Sequence, residues 1–161
     1  MSSIGAAVIG YGYWGPNLAR NLDERSEFSF ERLCDQDPTQ RAAFSRRFPH
    51  VQALASFSEV LADPVVEAVV IATPPQSHYT LARAALLAGK HVLVEKPLAR
   101  SFDHACEIAR LAEGKNLVLM PGHTFIYSPA VNAVPRRTPD ALASSLPMYL
   151  SRSLRTPEGS R

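Results

Sequence analysis

An α/β fold with a doubly wound, mostly parallel sheet is what this sequence predicts, and three observations predict it. Short apolar runs alternate with helix-patterned stretches from residue 4 to residue 120, the pattern of repeated βαβ units. The first run, residues 4–9, is continuously apolar, as in a parallel strand buried on both faces. It passes directly into Gly10-x-Gly12-x-x-Gly15, with a helical pattern immediately behind. Right-handed crossovers then give the strand order 3-2-1-4-5-6.

The elements follow in order. A first helix covers about 16–22, opened by Pro16, whose missing N–H is not needed in a first turn. A second strand, 30–34, ends at Asp35. Asp37-Pro38 is a cap-and-start signal for a helix to about Phe48, and Pro49 stops it. Residues 51–54 form a short third strand. Ser56 or Ser58 caps a small helix through Leu61, ended by Asp63-Pro64. Residues 68–73 are a β-branched strand, and 77–88 are helical with Gly89 at the position after the cap. Strand 91–94 follows. Ser101 then caps a helix whose apolar stripe includes Phe102, Ala105, Cys106, Ala109 and Ala112, and 117–120 is the last strand.

Composition narrows the function classes. The net charge is +2, too small to argue for nucleic acid or a charged membrane surface. The two cysteines, Cys34 and Cys106, fall in a strand and a helix with neither metal-ligand spacing nor a disulfide framework, so no metal site is expected. No apolar run reaches the length of a membrane span and no signal-peptide pattern opens the chain, so a cytoplasmic location is expected. Residues 129–161 carry five prolines, five arginines and two acids, against a net −1 for residues 1–128. The division is therefore 1–127 as one α/β domain and 128–161 as the start of a second domain or a poorly ordered tail.

Each glycine of the first turn has a mechanical role in a dinucleotide site. Gly10 lets the chain turn out of the strand, Gly12 leaves room for a pyrophosphate, and Gly15 lets helix pack on strand. The helix start presents N–H groups and a positive dipole end to phosphates. Asp35 lies 20 residues after Gly15, where a carboxylate accepts hydrogen bonds from the adenosine ribose and repels a 2′-phosphate, favouring NAD over NADP. Three further stretches fall beyond the carboxyl ends of strands. In Thr73-Pro74-Pro75-Gln76-Ser77-His78 the prolines force an extended exit, and His78 is either beside the cofactor or a capping, solvated side chain. Glu95-Lys96-Pro97 places a lysine after an apolar strand. It is a proton acceptor beside a cationic ring or a solvated strand end. The Lys96–Pro97 bond is a candidate for cis geometry, given the small trans preference before proline. In the 122–127 stretch, His123 and Tyr127 stand where a substrate would be, and the alternative for His123 is a structural role.

Together these stretches resemble the glucose–fructose oxidoreductase / inositol dehydrogenase (Gfo/Idh/MocA) family. The resemblance rests on Gly10-Tyr-Gly-Tyr-Trp-Gly-Pro-Asn17, Asp35, Ala72-Thr-Pro-Pro-x-x-His78, Glu95-Lys-Pro97 and Gly122-His-Thr-Phe, and covers about residues 4–130. It implies a Rossmann-type NAD-binding domain of an oxidoreductase that converts CH–OH to C=O on a sugar or nucleotide-sugar substrate. It makes Lys96 the catalytic proton-transfer residue. The implied cofactor contacts are Gly10, Tyr11, Gly12, Tyr13, Trp14, Gly15, Asp35, Thr73, Pro74, His78, Glu95 and Lys96, with His123 and Tyr127 toward substrate. Family members continue into a second α/β domain that carries much of the substrate pocket and the oligomer interface. The expectation is therefore a short form that binds the dinucleotide, lacks turnover by itself, and would form a homo-oligomer through the domain it lacks. The alternative from another class is a non-catalytic NAD-binding sensor or docking module.

Overall fold

The structure, a computed structural model, describes residues 3–124. Six parallel strands form one sheet: β1 (Ile4–Ile9), β2 (Phe28–Cys34), β3 (Gln52–Leu54), β4 (Ala68–Ile71), β5 (His91–Glu95) and β6 (Leu119–Gly122). Their order is β3-β2-β1-β4-β5-β6, with every pairing parallel, as the sequence predicts. The helices are α1 (Gly15–Asp23), α2 (Pro38–Arg47), α3 (Phe57–Ala62), α4 (Pro75–Leu87) and α5 (Phe102–Gly114).

The central strands β1 and β4 read as unbroken apolar runs because both faces of the sheet are covered there. Ala6 and Val8 of β1 pack with Ala19 and Leu22 of α1 and with Phe44 and Phe48. The alternate residues Ala7 and Ile9 pack on the other face with Val60, Leu86 and Ile108. Phe44, fully buried, stacks on Phe48 at 5.1 Å and meets Tyr11 edge-on at the same distance.

Several boundaries differ from the sequence expectation, each for a local reason. Helix α4 begins at Pro75 rather than at residue 77. Only Pro74 is extended (φ −59°, ψ 147°), and Pro75 already fits the first turn, where no N–H is required. Strand β6 begins two residues late. Asn116 takes φ 55°, a left-handed value that Asn tolerates, and the Leu117 N–H still donates to the Ala112 carbonyl to finish α5. Pairing with β5 therefore starts at Leu119, and Pro121 is accepted because β6 is an edge strand among the described residues. Strand β2 starts at Phe28, two residues early. Ser56 stands at the start of α3 without a side-chain cap bond, whereas Ser101 does cap α5, accepting from the His104 N–H. Phe102 does not join the core stripe of α5. It is 68% exposed, and the buried contact is made from the second turn onward by Ile108, Ala109 and Ala112.

Both cysteines are free thiols, and Cys34 is buried at the carboxyl end of β2. Burial, then the negative charges of Asp35 and Glu59, push its thiol from 9.0 up to about 11, with Arg41 opposing. The folded state disfavours the thiolate, so this group's contribution to stability is complete below pH 9 and is lost as pH rises through about 11. Denaturant unfolding between these values should show the wild type losing roughly 1.4 kcal/mol per pH unit relative to Cys34→Ala. Parallel curves for the two proteins would contradict that assignment.

Candidate functional site

The sheet order reverses at β1: the chain crosses to β2 and β3 on one side and to β4, β5 and β6 on the other. A crevice opens beyond the carboxyl ends of strands at such a point. Here it is a cleft of about 610 Å³, lined from β1 by Gly10, Gly12, Tyr13 and Trp14, from β2 by Asp35, and from β4 by Thr73 and Pro74. That volume lies within the roughly 300–1,000 Å³ usual for small-molecule sites.

The glycine loop is built by close approach. Gly10 has φ +94°, and a side chain there would press on Thr73 and the Ala72 carbonyl. A Cβ on Gly15 would collide with the Gly10 carbonyl oxygen, so α1 can seat on β1 only with glycine at that position. Gly12 is different: nothing lies within 4 Å of where its Cβ would be. The space it leaves open belongs to the cleft. Gly12, Tyr13 and Trp14 donate no backbone hydrogen bond among the described residues, while Trp14 accepts from the Asn17 and Leu18 N–H groups as α1 begins. Free N–H groups at a helix start, with the positive end of its dipole, suit a phosphate anion.

Asp35 faces these donors from the end of β2. Its Oδ2 accepts from the Tyr11 N–H at 2.6 Å and its Oδ1 from the Asp37 N–H at 2.8 Å. Both bonds are to an ionised acceptor and are stronger than neutral ones, so the carboxylate is held in place. Arg41 does not pair with it. Its Nη1 donates to the main-chain carbonyls of Asp35 and Gln36, at 2.9 Å each.

Tyr13 is 88% exposed and meets Trp14 edge-on at 5.4 Å. Tyr11 is turned the other way: its ring is buried against Phe44, and only its main chain belongs to the loop. His78 is also buried and is not among the cleft-lining residues. Its ring nitrogens lie 2.7 Å from the Thr73 and Pro97 carbonyl oxygens.

Lys96 and His123 each directly follow the paired residues Glu95 and Gly122 at the carboxyl ends of β5 and β6. Both are exposed, and Lys96 Nζ makes no hydrogen bond or ion pair among the described residues. The Lys96–Pro97 peptide bond is cis. None of Glu95, Lys96 and His123 lines the cleft. Tyr127 lies outside the described residues.

Sequence reasoning missed part of the wall. Ala55 and Phe57, just past the end of β3, and Leu81 of α4 also line the cleft, together with Gln76 and Ser77 of the 73–78 stretch that the sequence singles out. For Ala55 and Phe57 the available signal was their place just after the end of β3; Leu81, inside α4, carried none. The cleft fits a dinucleotide: an open backbone cradle over Gly12, uncommitted N–H donors, and a fixed carboxylate across from them. Among the described residues no group of His, Cys, Asp and Glu could hold a metal ion, and no helix is long and apolar enough to cross a membrane.

Comparison with known proteins agrees with this geometry. The family described as "Oxidoreductase family, NAD-binding Rossmann fold" matches residues 4–123. An uncharacterized oxidoreductase of Synechocystis sp. is 43% identical over 124 residues, 77% of this chain and 33% of its own. The scyllo-inositol 2-dehydrogenase (NADP(+)) IolW of Bacillus subtilis is 27% identical over 124 residues, 76% of this chain and 34% of its own. Among solved structures, GenD2 from gentamicin A biosynthesis, in complex with NAD, superposes with a TM-score of 0.76 at 34% identity, covering 80% of this chain and 37% of that one. The chain thus spans about a third of the length of these curated relatives. With the motif, the strand order and the cleft in agreement, this chain belongs to the Gfo/Idh/MocA oxidoreductase family, through its NAD(P)-binding Rossmann domain.

Proposed function

We propose that the cleft binds NAD in preference to NADP, and that the domain serves a dehydrogenase acting on the CH–OH group of a sugar-type substrate. The observation that carries the reading is the open space over Gly12 opposite the anchored Asp35 carboxylate. The N–H groups of Gly12, Tyr13 and Trp14 would receive the pyrophosphate. Asp35 would accept from the ribose hydroxyls, and its charge would repel a 2′-phosphate. Thr73 and Pro74 would border the rest of the dinucleotide. When bound, that group supplies the hydride acceptor for the carbinol carbon. The sugar-type substrate is supported by the inositol dehydrogenase among the relatives.

Lys96 would take the hydroxyl proton of the substrate. The support is its place after β5, next to the strand that ends in the cleft, with Nζ uncommitted among the described residues. His123, after the neighbouring strand, would face the substrate. The 161-residue chain itself is expected to bind the cofactor with little or no turnover. Positioning a carbinol against cofactor and base can supply about 7–11 kcal/mol of a barrier. The described residues build the cofactor wall and leave Lys96 exposed to water.

Three measurements test these assignments. Gly12→Val should weaken NAD binding by about a hundredfold or more, roughly 3 kcal/mol, with circular dichroism unchanged. Equal affinity would mean that the loop is only a turn. Titration of both cofactors should favour NAD, and Asp35→Ala should narrow the gap by about tenfold. No preference in the wild type would remove the role given to Asp35. In any polypeptide bearing this domain that reduces NAD with a sugar, Lys96→Met should lower kcat by about 10²–10⁴ at unchanged NAD affinity. Full activity would assign the proton elsewhere.

A further inference from the structure

The cleft and the Lys96 turn lie on different strands, and one side chain joins them. His78 stands in the first turn of α4 and is 1% exposed. Its Nε2 lies 2.7 Å from the carbonyl oxygen of Thr73, and its Nδ1 lies 2.7 Å from that of Pro97. Thr73 lines the cleft; Pro97 is the residue directly after Lys96. A carbonyl oxygen only accepts, so a neutral ring donates its one N–H to one of these carbonyls, as its tautomer decides, and rests its other nitrogen against the second. The rigid ring sets the spacing of the two carbonyls, one lying against each nitrogen-bearing edge.

The surroundings hold the ring to this task. Ser77 Oγ bonds the Thr73 hydroxyl at 2.7 Å and the Pro74 carbonyl at 2.8 Å, pinning the loop to the same turn of helix. A buried ring with unused polar atoms would be costly, and none of the buried side-chain polar atoms among the described residues is without a partner. His78 itself does not line the cleft, so it has no direct contact to offer a ligand there.

We propose that His78 is a positioning residue. It holds the Lys96–Pro97 turn in register with the Thr73–Pro74 loop, so that a dinucleotide settling on the loop also sets the place of Lys96. The linkage rests on the dinucleotide reading of the cleft, whereas the bridge itself does not.

Nuclear magnetic resonance of the 161-residue chain separates the two. Without cofactor, His78→Phe, which fills the space and removes both ring nitrogens, should shift the carbonyl carbon resonances of Thr73 and Pro97 and leave those of β2 unmoved. With saturating NAD, the wild type should show shifts at the Gly12, Thr73 and Leu98 amides with one common midpoint. His78→Phe should keep the Gly12 response and lose most of that at Leu98, and His78→Gln, which restores N–H donors, should regain part of it. A Leu98 response unchanged in His78→Phe overturns the proposal. So does a wild type in which NAD moves Gly12 and Thr73 but not Leu98, a result that needs no variant to fold. If NAD moves none of these amides, the cofactor reading falls and the linkage with it. The bridge is then decided by the two carbonyl shifts in the cofactor-free protein.

Discussion

The tight seat of α1 on β1 is the constraint on which the site depends. The helix can approach only because Gly15 has no side chain to strike the Gly10 carbonyl, and the turn that delivers it needs φ +94° at Gly10. A larger residue at either position would push the helix away from the sheet. The consequences spread from there. The Tyr11 N–H is brought within 2.6 Å of Asp35, and the Tyr11 ring is driven down onto Phe44. The N–H groups that follow are left facing the crevice. One packing distance therefore sets the core on that side of the sheet and the donors of the cleft together.

Charge in the cleft is arranged in two parts. Uncommitted N–H groups and a helix start border the cleft together with a single carboxylate, that of Asp35, which bonds the Tyr11 N–H beside them. Hydrogen bonds to an ionised group are worth roughly 1.5–3 kcal/mol, against about 1 for neutral pairs. Two such bonds hold Asp35, so it offers its remaining acceptor capacity from a fixed position and loses little side-chain freedom when a ligand arrives. The same carboxylate helps to keep the neighbouring Cys34 thiol protonated, which with burial makes Cys34 part of the wall and not a nucleophile.

Among the described residues two polar or charged side chains are buried, one in the first turn of α4 and one in the connection that follows it. Lys90 donates through Nζ to the Asp63 and Val66 carbonyls near the amino end of β4, and His78 meets carbonyls beyond its carboxyl end. Each takes a group that would be costly to bury and satisfies it on main-chain oxygens of two segments or turns. On the surface, α4 and α5 are tied through Glu107, which accepts from Tyr79 and Arg83. Those exposed bonds add little stability beside the packing of Leu86 and Ile108.

The glycine turn, the position of Asp35 and the alternation of strand and helix were legible in the sequence because each is a local pattern, and the strand order followed from them by the right-handed crossover rule. Apolar runs, a glycine spacing and a proline that can only start a helix act over a few residues. The cleft was legible in outline for the same reason, since strand ends can be counted. Only the tertiary structure decided which atoms meet. Asp35 is anchored by Tyr11, 24 residues away, and His78 joins Thr73 to Pro97, which lies 19 residues beyond the histidine. Phe57 enters the cleft wall, while Phe102, which fits a helical stripe on paper, stays in solvent. A periodic pattern tells which face of an element is apolar. Which partner that face or side chain finds depends on how distant strands pair and how closely helices can approach them, and those distances are properties of the assembled sheet.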